Sequence, residues 1–191
     1  MRLSERETEC GDEEGQSYAT GRLRLRPMHA GDRTAMAILA AEPLLSDEVP
    51  GIVAPIVEDE TAAYAIVAKE TGLVIGHAGH QRPLDEPAPI EICLWLDPSE
   101  WGKGYGTEAG HALIDIAFAD LRVGMLWCAI RVNNTRARRV IEKCGFQYRG
   151  SGMLRSAAHT GAYPVERYML DRRNWASLKA WGAPLCDSTA A

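Results

Sequence analysis

A glycine-rich turn between a strand pattern and a helix pattern constrains this chain most. It reads Trp101-Gly102-Lys103-Gly104-Tyr105-Gly106-Thr107. Upstream, Ile90, Ile92, Leu94 and Leu96 share one face of an alternating run while Glu91, Cys93 and Trp95 share the other, which is the period of a β-strand. Downstream, Ala109, Leu113, Ile116 and Ala117 recur at helical spacing. Three glycines at alternate positions before a helix let backbone N–H groups converge on an anion, and the helix dipole adds to the attraction. The same glycines also serve a sharp turn that needs only their dihedral freedom. Two nucleotide motifs are excluded. In G-x-G-x-x-G the third glycine would fall on Thr107 or Ala109, and G-x-x-x-x-G-K-[ST] is absent because Lys103 lies inside the glycines. Nicotinamide-dependent redox chemistry is left as a remote alternative.

The rest of the chain supplies short strands and amphipathic helices. Leu23, Leu25 and Pro27 alternate with Arg22, Arg24 and Arg26 as a half-buried strand. Ala30-Gly31-Asp32 then offers a turn and an Asp to cap a helix from Arg33 to about Glu42, ended by Pro43. Pro50, Gly51 and Pro55 leave 45–60 without a readable element. Ala63 to Lys69 and Leu73 to His80 form a hairpin through Glu70-Thr71-Gly72, and 81–89, with three prolines, is a loop. Met125 to Val132 is an apolar strand. Ala137, Val140, Ile141 and Cys144 then mark a helix opened by Asn133 or Asn134 and closed by Gly145. Gln147 to Leu154 and Val165 to Asp171 complete the strands, joined through His159, Gly161 and Pro164, with Tyr168 and Trp175 as apolar anchors of the last strand and its exit.

With 191 residues, 46% hydrophobic and 25% charged, the chain suits one domain. The acidic, nearly apolar-free stretch 1–17 reads as a flexible leader, 18–181 as the working domain and 182–191 as a flexible tail. A net charge of -5 argues against nucleic acid or an anionic membrane as the main partner. The five cysteines are odd in number and contain no CxxC pair, so neither a disulfide framework nor a zinc knuckle is indicated. No apolar run reaches the 18 residues of a membrane span. These features make a cytoplasmic protein the expectation. His77 and His80 lie on opposite faces of their strand, so they share no metal, and both are expected to be satisfied strand histidines. Cys144, on an apolar helical face, reads as core.

Trp101 to Gly106 resembles the acetyl-CoA pyrophosphate loop of the GNAT superfamily of N-acetyltransferases, [QR]-x-x-G-x-[GA], with Trp101 in place of the usual Gln or Arg. The extension through Thr107-Glu108-Ala109, followed by Asn134 and by Glu142-Lys143-Cys144-Gly145-Phe146, is similar to the ribosomal-protein alanine and serine N-acetyltransferase (RimJ/RimL) branch, over roughly residues 20–175. The resemblance implies an α/β (α+β) fold: a mixed, mostly antiparallel sheet of about seven strands, flanked by helices and split between its fourth and fifth strands, here 90–97 and 125–132. The pantetheine arm of acetyl-CoA, the cosubstrate, would lie in that split along Trp95, Leu96 and Asp97. Its phosphates would reach Trp101, Gly102, Lys103, Gly104, Tyr105, Gly106 and Thr107, and Asn134 would hydrogen-bond pantetheine or water, or act only as a cap.

Transfer of acetyl to an amine requires a base, oxyanion donors and a proton for the thiolate. Glu91, the acid within the strand's apolar run, is the candidate base; its plainer role is a solvent-facing strand residue or an arginine partner. The resemblance assigns the oxyanion to the backbone N–H near Leu96. The hydroxyl acids of the superfamily are missing, since Ile141 and Ala137 occupy their positions. A CoA thiol near pKa about 8.5 can leave with help from water. Acetyl transfer to a primary amine, such as a protein N-terminus, is the leading function. An antibiotic or metabolite amine acetyltransferase and an acyl-CoA-binding sensor with little turnover are the alternatives. The partners expected are acetyl-CoA and the amine, with no metal, and a homodimer is the family-level expectation for assembly.

Overall fold

The computed structural model describes residues 16–32, 34, 35, 37, 62–81, 89–120, 122–155 and 162–182. The expectations for a leader up to residue 15, for most of the helix running to residue 42, for 45–60, for 82–88 and for a tail beyond 182 lie outside them. In chain order the strands are β1 (Tyr18–Ala19), β2 (Leu23–Pro27), β3 (Ala63–Ala68), β4 (Val74–Gln81), β5 (Glu91–Leu96), β6 (Met125–Arg131), β7 (Gln147–Arg155) and β8 (Ala162–Asp171). Among the described residues the long helices are α1 (Tyr105–Asp120), α2 (Thr135–Lys143) and α3 (Arg172–Gly182), and a 3-10 turn spans Pro98–Glu100.

The eight strands form one sheet in the order β1-β2-β3-β4-β5-β6-β8-β7. Every neighbouring pair is antiparallel except β5 with β6. The two-residue β1 is the strand beyond the expected seven, so the strands called fourth and fifth from sequence are β5 and β6.

Alternation sorts the two sheet faces. Leu23, Leu25, Ile66, Ala78, Ile92 and Leu96 turn to one side and pack with Leu113, Ile114 and Ala117 of α1, forming the main core. The opposite face carries a small cluster of Ala65 and Trp95, joined by Met28, Val67, Val74 and Trp101. Helix α2 packs on α1, where Gly106 faces Val140, and its Arg138 bonds to Glu166 of β8. Asn134 is its cap, the Oδ1 accepting from the Ala137 N–H at 2.8 Å, which decides between the two asparagines. Gly145 closes it at φ +89°, the left-handed turn that glycine adopts without strain.

Two local expectations change. Asp32 sits in helical backbone and its carboxylate turns back rather than capping forward: it accepts the His29 N–H at 2.9 Å and a forked pair from Arg26 at 2.6 and 2.8 Å. An ion pair on the strand one element earlier outcompetes the cap. Trp175, expected at the exit of the last strand, belongs to an eleven-residue helix, α3. It is buried against α1, and its indole N–H donates to Asp115 at 2.8 Å.

Candidate active site

The site begins where β5 and β6 part. Among the described residues their ladder holds one registered pair, Glu91 with Trp127, beside the bond from the Trp127 N–H to the Ile90 carbonyl at 2.9 Å. Beyond it the strands separate. The Asp97 N–H bonds to the Ile75 carbonyl at 2.8 Å on the β4 side, so strand alternation turns odd-numbered backbone groups of β5 toward β4. The Ile92 N–H closes the Glu91–Trp127 pair on the Trp127 carbonyl, and the Ile92 carbonyl with the N–H and C=O groups of Leu94 and Leu96 faces the widening gap. An extended, amide-bearing chain laid there meets the backbone donors and acceptors it needs, as an added strand would.

One of those groups is already taken. The Trp101 indole N–H donates to the Leu96 carbonyl at 3.0 Å, which ties the glycine turn to the open end of β5. Asp97 caps the 3-10 turn, accepting the Ser99 N–H at 2.8 Å. The loop then climbs into α1 with Gly102 at φ +79° and Gly104 at φ +84°. Nothing lies within 4 Å of a Cβ built on Gly102, so the turn has open space beside that glycine. Lys103 pairs with Glu100 at 3.0 Å. Tyr105, Gly106 and Thr107 begin α1, where backbone N–H groups have no partner within the helix. Open space, positive-φ glycines and a helix start fit the diphosphate of a CoA molecule.

Three residues outside the sequence-based set hold this loop. Glu108, in the first turn of α1, accepts from the Thr20 hydroxyl at 2.6 Å and from the Arg22 backbone N–H and Nε, each at 2.8 Å. Burial works against its charge, but those bonds outweigh it and hold Glu108 below its usual range. Arg22 also donates to the Lys103 carbonyl at 2.9 Å and lies 4.6 Å from the Tyr105 ring centre. Arg22 was visible only as one of three alternating arginines. Its partner is 86 residues away, a separation that local patterning does not bridge.

Glu91 stands at the base of the gap. Its charge contributes, after burial, to raising the thiols of both Cys93 on β5 and Cys128 on β6, and Cys93 is pushed up to about 12. Cys144 is likewise raised to about 12 by burial, so these thiols are protonated at neutral pH and inert as nucleophiles. Trp95 lies on the Glu91 face, stacked on His77 with ring centres 5.9 Å apart and planes 21° apart. The histidines do lie on opposite faces, but only His80 fits its expectation: its Nε2 is 2.9 Å from the Leu113 carbonyl. His77 is 3% exposed and neither ring nitrogen has a partner. The indole nitrogens of Trp95 and Trp127, on the same face, are also buried without one.

Ile141 is buried, while the Ala137 N–H serves the Asn134 cap. A phenol linked to α2 through Glu166 is Tyr168, on β8. It donates to Glu166 at 2.8 Å, and Glu166 also pairs with Arg138 at 2.9 Å. Burial and that carboxylate push Tyr168 up to about 12. A surface groove of about 440 Å³ beside α1, lined by residues including Tyr18, Glu108, His111 and Asp115, contains none of the β5–β6 cleft residues. No described helix is long and apolar enough to cross a membrane.

The model of the acetyltransferase (GNAT) domain family matches residues 22–147, more than half of the chain. The chain belongs to the GNAT acetyltransferase family. An uncharacterized N-acetyltransferase, p20, of Bacillus licheniformis is 30% identical over 112 residues, covering 59% of this chain and 62% of that protein. The matched region thus spans less than two thirds of that relative's length. The structure of a GNAT-family acetyltransferase from Bacillus anthracis superposes with a TM-score of 0.70 at 17% identity, covering 83% of this chain and 99% of that one. An aminoglycoside acetyltransferase, AAC(6')-Ib, in complex with coenzyme A superposes at 0.66 with 20% identity, covering 82% and 99%. At these identities the likeness is one of fold, and it places the parted β5 and β6 strands in a GNAT framework.

Proposed function

We propose that this chain is an acetyl-CoA-dependent N-acetyltransferase acting on a primary amine. The observation that carries the reading is the parting of β5 from β6 next to an open glycine turn, which offers backbone partners for the pantetheine arm of CoA and a cradle for the CoA diphosphate. Trp95, Leu96 and Asp97 line the arm's path, 101–107 take the phosphates, and Asn134, whose Oδ1 is engaged in the cap, meets pantetheine through its amide NH2.

Acetyl-CoA supplies an acyl group activated as a thioester. Glu91 takes the proton of the incoming ammonium, directly or through water, leaving a neutral amine to attack the acyl carbon. The Leu96 N–H, facing the gap, donates to the oxygen that gains charge. As the C–S bond breaks, the proton that the attacking nitrogen loses passes through water to the thiolate, because Ile141 and Ala137 offer no hydroxyl and the Tyr168 proton is committed to Glu166. The test is release of CoA thiol from acetyl-CoA across N-terminal peptides, polyamines and aminoglycosides. Absence of release with every amine overturns the enzyme reading, and absence of CoA binding as well overturns the acetyl-CoA site.

For the acceptor we propose an N-terminal Ala or Ser, on the branch resemblance, with an antibiotic or metabolite amine as the alternative; mass spectrometry of acetyl increments on each panel member separates them. The cytoplasm is the proposed location, on reduced cysteines and free thiols at Cys93, Cys128 and Cys144. Light scattering tests the proposed homodimer. The missing hydroxyls at Ile141 and Ala137 favour a second reading, an acyl-CoA sensor. It predicts tight acetyl-CoA binding without turnover, unaltered by Glu91→Gln.

A further inference from the structure

The loop lacks the side-chain donor that its motif carries first, since Trp101 stands where Gln or Arg is usual. The packing of α2 on α1 brings a replacement. A Cβ built on Gly106 lies 3.4 Å from Val140, and one on Gly110 lies 2.9 Å from Cys144 Sγ. Both contact positions advance by four residues, so the helices run in the same direction, side by side, with their N-terminal ends at the same side of the molecule. One turn earlier on α2 is Arg136, and one turn earlier on α1 is the glycine loop. The contact is made: the Arg136 guanidinium carbon sits 4.7 Å from the centre of the Trp101 ring. That ring is fixed in turn by its bond to the Leu96 carbonyl.

We propose that Arg136 supplies from α2 the cation that the first position of the loop no longer carries, and that it binds the diphosphate of acetyl-CoA from its seat on Trp101. This rests on the reading of the cleft as an acetyl-CoA site. The aromatic face attracts and orients the guanidinium without consuming its N–H donors. The planar fork thus remains available for two phosphate oxygens, a geometry that a flexible ammonium does not reproduce. Arg136 is exposed, so the pair is reached from solvent at the cleft mouth, next to the positive ends of two helix dipoles.

The test measures dissociation constants by calorimetry at low salt for acetyl-CoA and for its dephospho form, which lacks the 3′-phosphate and keeps the diphosphate. It adds kcat/KM with acetyl-pantetheine, which lacks every phosphate. Arg136→Ala is expected to weaken both CoA forms about tenfold, to leave acetyl-pantetheine unchanged, and to shift the thermal midpoint by no more than about 2 °C. Arg136→Lys recovers part of the affinity, and Trp101→Arg in the Arg136→Ala background recovers more. Unchanged affinity overturns the proposal. So does an equal loss with acetyl-pantetheine, which marks a packing role, and so does a loss confined to the form bearing the 3′-phosphate. A wild-type protein that binds neither CoA form overturns the acetyl-CoA reading itself, whatever the variants do.

Discussion

The least compensated side chain in the described structure is His77, a neutral imidazole pressed against Trp95 with both nitrogens unpartnered. Burial lowers its pKa from 6.5 to about 4. Because the folded value is depressed, the unfolded chain binds the proton more readily between these two values, and stability rises with pH across that window. The contribution is fully present above pH 6.5 and is lost as pH falls to about 4. At about 1.4 kcal/mol per pKa unit it amounts to roughly 3 kcal/mol. Denaturant titrations of wild type and His77→Leu between pH 4 and 7 check this: the leucine variant is expected to flatten the slope, and an identical slope in both proteins removes His77 as its source. Glu91 makes a separate prediction for the chemistry. As general base it contributes on the order of a hundredfold or more to kcat, so Glu91→Gln is expected to cut turnover by that factor while the acetyl-CoA dissociation constant stays within twofold. A loss of affinity with turnover intact speaks for a binding role instead. Glu91 stood out in sequence because an acid interrupted an apolar alternation. The unpartnered state of His77 did not, since it depends on which side chains the neighbouring strands turn toward it.

At the scale of elements, β5, the glycine turn and α1 were legible because three local signals agree there: period two, glycines needed at positive φ, then period near 3.6. The α2 boundaries were legible for the same reason, with a capping Asn and a closing Gly. Helix α3 was not. Its stretch, RRNWASLKAWG, carries a weak apolar stripe, and it is secured by tertiary bonds of Trp175 and Lys179 to Asp115 on α1, at 2.8 and 2.8 Å. The lateral fit of α2 on α1 was equally hidden, because Gly110 looks like an ordinary helix weakener until Cys144 is found against it. Gly110→Ala places a methyl 2.9 Å from the Cys144 sulfur inside a packed interface and is expected to cost about 1–3 kcal/mol. Cys144→Ala in the same chain makes room and returns part of that loss. The comparison is one of denaturation midpoints, and equal stability of Gly110→Ala and wild type would show the helices free to slide apart.

For the whole molecule, the acetyl-CoA reading has a thermodynamic consequence larger than any one contact. The proposed site draws on β5, the glycine turn, α1 and α2, and in the unfolded chain these groups are scattered over roughly 45 positions and bind nothing together. A ligand that binds only the folded arrangement stabilises it by about 2.7 kcal/mol at a concentration one hundred times its dissociation constant. For a chain of 191 residues that corresponds to a rise in thermal midpoint of about 5–10 °C. The net charge of -5 opposes a polyanion at long range, so the attraction is local, built from two helix starts, Arg136 and the loop amides. Added salt is therefore expected to have opposite effects: it screens the molecule's acidic field, which favours approach, and screens the short-range cation contact, which weakens binding. Raising ionic strength from 0.05 to 0.5 M should leave a net loss of CoA-induced stabilisation if the contact dominates, and thermal shift in the Arg136→Ala variant should lose that salt sensitivity. Equal salt dependence in the two proteins would place the controlling electrostatics in the whole surface and not at α2.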